Sequence, residues 1–98
     1  MLERFHRVET RFEELTRLLA EPGVTQDYER VAEYARERAE LEDVISTYRA
    51  YAQTANDLEQ TRTLLAEGVD AELRELAHVE VAGLEERMSQ LEKQLHAL

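Results

Sequence analysis

The sequence predicts an all-α protein, an elongated antiparallel three-helix bundle with one long central helix, its elements at about 2–20, 27–67 and 70–98. Three observations carry that expectation. Residues 27–67, DYERVAEYARERAELEDVISTYRAYAQTANDLEQTRTLLAE, contain no Gly and no Pro, so nothing in them stops a helix. Breakers stand on either side of that run, Pro22-Gly23 before it and Gly68 after it. On both flanks apolar residues recur at steps of three and four, the period of a helix face. A helix over 27–67 would be roughly 60 Å long at about 1.5 Å per residue. Such a helix is stabilised mainly by packing, and its two neighbours are the partners on offer.

The first helix carries Phe5, Val8, Phe12, Leu15 and Leu19 in one stripe, widened by Leu18 at its end. Arg4, Arg7, Arg11, Glu13, Glu14 and Arg17 take the other face. Pro22 disfavours helix at Glu21, and Gly23 suits the left-handed geometry of a reversal. Thr25 and Asp27 are both candidate N-caps for the long helix. On that central helix Tyr28, Val31, Ala35 and Ala39 form the stripe that the first helix would cover. Further on, Leu41, Ile45, Tyr48, Ala52 and Ala55 make one row, and Val44, Tyr51, Leu58 and Leu65 a second beside it. Two rows on one helix call for two packing partners.

Gly68 is the expected C′ residue of the long helix and Asp70 the expected N-cap of the next. The connection is so short that the third helix must run back antiparallel. Its seam, Ala77, Val81, Leu84, Met88, Leu91, Leu95 and Leu98, alternates steps of four and three without a miss. Gly83 lies off that seam. Folding about Gly68 sets Ala52 and Ala55 against Val81, Leu84 and Met88, and Leu41, Ile45 and Tyr48 against Leu91 and Leu95. Folding about Pro22-Gly23 sets Leu15 near Val31, Phe12 near Ala35 and Phe5 near Leu41. Both partners are then expected to converge at 39–48.

The 98 residues are 43% hydrophobic and 35% charged, enough for one small domain. A formal charge of −10, from 12 basic and 22 acidic residues, repels phosphate backbones and argues against sequence-specific nucleic-acid binding. Without Cys there is no disulfide, zinc-finger or thiol chemistry. The charged N-terminus lacks the apolar stretch of a signal peptide. No run approaches the ~18 apolar residues of a membrane span. A soluble, cytoplasmic protein is the expectation.

No constellation of side chains reads as a catalytic, cofactor or metal site. Glu13-Glu14, Glu85-Glu86 and Asp43 near Glu40 and Glu42 fall on solvent faces beside Arg residues, whereas acid–base catalysis needs paired carboxylates in a cleft. Glu33, Glu37 and Arg30 read as ordinary helix-surface neighbours. His6, His78 and His96 are too far apart for a local metal motif, and the two that the fold brings to one end, His6 and His96, lack a third ligand. No phosphate loop or nucleophile elbow is present. Arg30, Arg36, Arg38 and Arg49 share the long helix with Tyr28, Tyr34, Tyr48 and Tyr51. A core row beside a solvated face explains them, with a small nucleic-acid contact patch as the alternative.

Two stretches go further than periodicity. EELTRLLAEPGVTQDYERVAEYARERAELEDVISTYRAY resembles the first domain of bacterial and organellar class-I peptide chain release factors. The matching features are the short leading helix and the breaker of the type LL-x-x-P at Leu18, Leu19 and Pro22. AELE at 39–42 and Y-R-x-Y at 48–51 come next. DAELRELAHVEVAGLEERMSQLEKQL resembles that domain's third helix, with D-x-E-L-R-E-L-A at 70–77. The AELE and Y-R-x-Y wording looks more like the branch of the family that reads UAA and UAG. The resemblance covers essentially the whole chain.

It implies that the chain is the N-terminal domain of a longer factor and docks at the stalk base of the large ribosomal subunit. The family reads stop codons through a tripeptide motif and releases peptide through Gly-Gly-Gln, both in later domains. Neither motif is in these residues, so no residue is carried over as catalytic or codon-reading, and none is assigned to the ribosome contact. The expected partners are the ribosome and the factor's remaining domains, and the expected behaviour is independent folding without release activity. The competing expectation is a freestanding helical adaptor or dimerising coiled coil, pairing through a heptad end left exposed at Leu95 and Leu98.

Overall fold

A computed structural model describes residues 2–98. They form α1 (Leu2–Leu18), a single turn α2 (Pro22–Thr25), the long α3 (Tyr28–Glu67) and α4 (Ala71–Ala97). The all-α expectation and the 40-residue helix are both present. The chain divides into two compact units, the first ending at Ser46 and the second starting at Thr47, with α3 continuous through both.

In the first unit α1 loosens at Leu18: Ala20 and Glu21 donate backbone bonds to carbonyls only three residues back, Arg17 and Leu18. This tightened last turn satisfies carbonyls that the helix end leaves free. Glu21 is extended (φ −75°, ψ 131°), as a residue before proline should be. Pro22 then opens α2 at the first helical position, where its missing N–H costs nothing. Gly23 is therefore helical, and no left-handed residue is used at this reversal. Gly68 has the one positive φ among the described residues. Asp27, not Thr25, caps α3, its Oδ1 accepting from the Arg30 N–H at 3.2 Å. The Thr25 hydroxyl donates instead to the Pro22 carbonyl within α2.

The covered row of α3 in this unit is Val31, Tyr34, Leu41 and Ile45, the last only 2% exposed. The expected stripe of Tyr28, Val31, Ala35 and Ala39 is corrected: Tyr28 is 84% exposed, and both alanines face solvent. Ala counts as apolar in a periodicity argument but buries little. Tyr34 and the long stems of Glu37 and Arg38 cover more of the neighbouring helix. The register shifts accordingly, because Arg11 pairs with Glu37 and Phe12 lies under Arg38 rather than beside Ala35. Those pairs centre the reversal on buried Val24 and its neighbour Thr25, one or two residues beyond Pro22-Gly23.

In the second unit Gly68 (φ 91°) ends α3, and Asp70 caps α4 by accepting from the Leu73 N–H at 2.8 Å. The covered face of α3 here is the second expected row, Tyr51, Leu58 and Leu65, completed by Thr54 and Thr61, each 8% exposed. Of the other expected row, Tyr48 is buried and Ala55 half-buried, whereas Ala52 is exposed. Both buried threonine hydroxyls donate to the carbonyl four residues back, Ala50 at 2.8 Å and Asp57 at 3.0 Å. A self-satisfied hydroxyl presents its methyl to the neighbour, so threonine enters the core without an unpaired polar atom.

The α4 seam is as expected, with Ala77, Leu91 and Leu95 buried and Val81, Leu84 and Met88 half-buried. Its end is not: Leu98 is 49% exposed, but Leu95 is 2% exposed. Tyr51 meets Glu92 and Arg62 meets Glu85, so the antiparallel reversal centres near residues 72–73 rather than on Gly68. Ala55 consequently shares a surface hollow with Met88, the far end of its expected span. The first turns of α4 run past the last turn of α3.

Candidate functional surface

Each unit carries polar contacts that tie α3 to its neighbour. In the first, Arg11 donates from Nε to Glu37 Oε2 at 2.5 Å and from Nη2 to Glu37 Oε1 at 2.9 Å. Its Nη1 donates to Glu14 Oε1 at 3.0 Å. The hydrogen bonds from Arg11, opposed by partial desolvation, hold the Glu37 carboxyl below the usual glutamate range. The same bonds hold the Arg11 guanidinium firmly protonated. Next to them the Arg38 guanidinium lies 4.4 Å from the centre of the Phe12 ring, and its Nε donates to Thr16 Oγ1 at 2.9 Å. Thr16 in turn donates to the Phe12 carbonyl.

In the second unit the Tyr51 hydroxyl donates to Glu92 Oε1 at 3.3 Å, and Arg62 Nη2 donates to Glu85 Oε1 at 2.9 Å. Burial first, and the charge of Glu92 second, push the Tyr51 phenol above its ordinary value.

The residues singled out for chemistry take structural places. Glu14 and Glu85 are arginine partners, Glu86 accepts from Gln90, and Arg30 pairs with Asp27 across one turn. Tyr48 is buried, Tyr34 and Tyr51 are half-buried, and Tyr28 is alone in being well exposed among the four tyrosines. The Arg–Tyr grouping is thus not assembled into one surface. His6, His78 and His96 are exposed, and among the described residues no group of three or more His, Cys, Asp or Glu could hold a metal ion. No helix among them is long and apolar enough to cross a membrane.

Two features are not apparent from the sequence. Glu37 is not a plain surface neighbour of Glu33 and Arg30, since it reaches across to α1. A cation spaced to meet it could be recognised only once the register was known. The other is an exposed apolar run at the start of α4, with Leu73 41%, Leu76 62% and Val79 67% exposed. Leu76 and Val79 stand about 100° and 200° around the helix from Ala77, well off the seam. Apolar residues outside a seam were the available signal.

Residues 8–98 match the PCRF domain. The chain belongs to the PCRF domain family. It is similar over all 98 residues to peptide chain release factor 1 of Desulforudis audaxviator, at 41% identity, and of Acidobacterium capsulatum, at 40%. The same protein of Brevibacillus brevis is 38% identical. The chain spans 28% of the first of these relatives and 27% of the other two. No solved structure matches it. A PCRF domain covering little more than a quarter of its relatives' length is the basis for a functional reading.

Proposed function

We propose that this chain is the N-terminal ribosome-docking domain of a class-I peptide chain release factor acting in the cytoplasm at UAA and UAG codons. It holds the factor at the stalk base of the large subunit. Codon reading and peptidyl-tRNA hydrolysis belong to other domains of the same factor. The observation that carries the reading is the full-length match to relatives named release factor 1, of which the chain spans 27–28%. The exposed carboxylates Glu14 and Glu85, each paired with an arginine, suit a docking role better than proton transfer, which needs carboxylates tuned in a cleft. A self-pairing adaptor needs Leu95 and Leu98 exposed together, and Leu95 is buried within its own unit.

The test is a release assay on stalled ribosomes carrying a stop codon. The 98-residue chain alone is expected to release no peptide above background. Added in excess, it is expected to slow release by a full-length factor through competition for the docking site. Stop-codon-dependent release by the chain alone would contradict the division of labour, and a failure to compete would contradict the docking role.

A further inference from the structure

The exposed apolar run of α4 is the surface least explained by the packing of its own unit. Leu76, Val79 and Gly83 fall at i, i+3 and i+7 on one face, with Leu73 at its edge. An added Cβ at Gly83 would meet nothing within 4 Å, so the two apolar knobs are followed by open space. Exposed Glu72, Glu75 and Glu80 border them, and Arg87 is the first cation on that face. Over residues 67–80 the acids Glu67, Asp70, Glu72, Glu75 and Glu80 stand against one arginine, Arg74, one histidine, His78, and no lysine. Arg74 is turned back, its Nη2 donating to the Val69 carbonyl at 3.2 Å.

We infer that this face docks a basic protein surface whose apolar side chains seat over Leu76 and Val79 while its Lys and Arg residues meet Glu72, Glu75 and Glu80. The inference deepens the docking reading above, on which it rests, by naming the face and the chemistry of its partner. Charge selects the occupant. A second copy would bring the same acidic border and a further −10 charge, and a phosphate backbone would be repelled. Apolar contact at the centre with charges at the rim is the usual anatomy of a protein interface.

The test measures binding of the fluorescently labelled chain to washed bacterial ribosomes at two salt concentrations. Leu76→Ser with Val79→Ser is expected to weaken binding by about tenfold or more, as loss of a central anchor does. Glu72→Gln, Glu75→Gln and Glu80→Gln together are expected to weaken it and to flatten its salt dependence. Both sets lie at exposed positions, so the helical signal should be retained, and Glu33→Gln in the first unit should bind as the parent does. Parent-like binding by both patch variants overturns the assignment of this face and leaves the docking reading intact. Tighter binding by the glutamine variant, or competition by stripped ribosomal RNA, overturns the protein partner. Dimerisation that Leu76→Ser abolishes overturns it in favour of a second copy. Absence of ribosome binding by the parent chain overturns the inference and the docking reading together.

Discussion

Arg11 binds three carboxylate oxygens drawn from two helices, and that geometry makes the first unit acid-sensitive at one identifiable residue. The hydrogen bonds from Arg11 lower the Glu37 pKa in the folded state relative to the unfolded chain, where the usual glutamate value returns. Its contribution to stability is therefore complete above the unfolded value and is lost as pH falls through the folded one. Glu37→Gln should lower stability at pH 7, and its gap from the parent should close as pH drops through that window. Urea unfolding at several pH values checks this, and a gap constant with pH would contradict it.

Burial decides a second comparison. Ile45→Ala should cost about 2–5 kcal/mol, since Ile45 is almost fully buried in the first unit. Ala52→Ser, at an exposed position on a row that periodicity places in the core, should stay within about 0.5 kcal/mol of the parent. Chemical denaturation of the two variants reads the difference, and equal costs would mean the covered face of α3 is misassigned.

At the scale of elements, the two glycines of the second unit have opposite roles. Gly68 holds φ 91° where the chain leaves α3, so Gly68→Ala should destabilise by about 1 kcal/mol. Gly83 sits inside α4 with space around it, so Gly83→Ala should stabilise by about 0.5–1 kcal/mol. Thermal unfolding of the pair should move the midpoint in opposite directions.

These positions also show what was legible before the fold. Breakers and caps at Pro22, Gly68 and Asp70, and the α4 seam, follow from local chemistry and were readable residue by residue. The covered face of α3 was legible only in part. There, alanine scores as apolar while burying little, and threonine scores as polar while its hydroxyl bonds to its own helix. Interhelical register escaped for a related reason. It depends on where each reversal centres, and α2 and the overrunning start of α4 move both centres beyond the breakers.

For the molecule as a whole, family membership was legible in wording rather than in geometry. The ordered motifs at 18–22, 39–42, 48–51 and 70–77 led to the release-factor family, and the PCRF match over 8–98 agrees. No contact residue of the proposed docking surface could be named in advance, because such a surface has no fixed ligand spacing comparable to that of a metal or phosphate site. The Leu76–Val79 face emerged only when exposure was known.

The central claim is that these residues are one domain of a larger termination factor, and the intact mass of the native gene product in its source cells tests it most directly. Relatives that the chain spans to 27–28% imply a product between three and four times the 11.4 kDa of these residues. A mass in that range is the expected result. A native product of 11.4 kDa would contradict the account, because codon reading and hydrolysis would then have no domain to reside in.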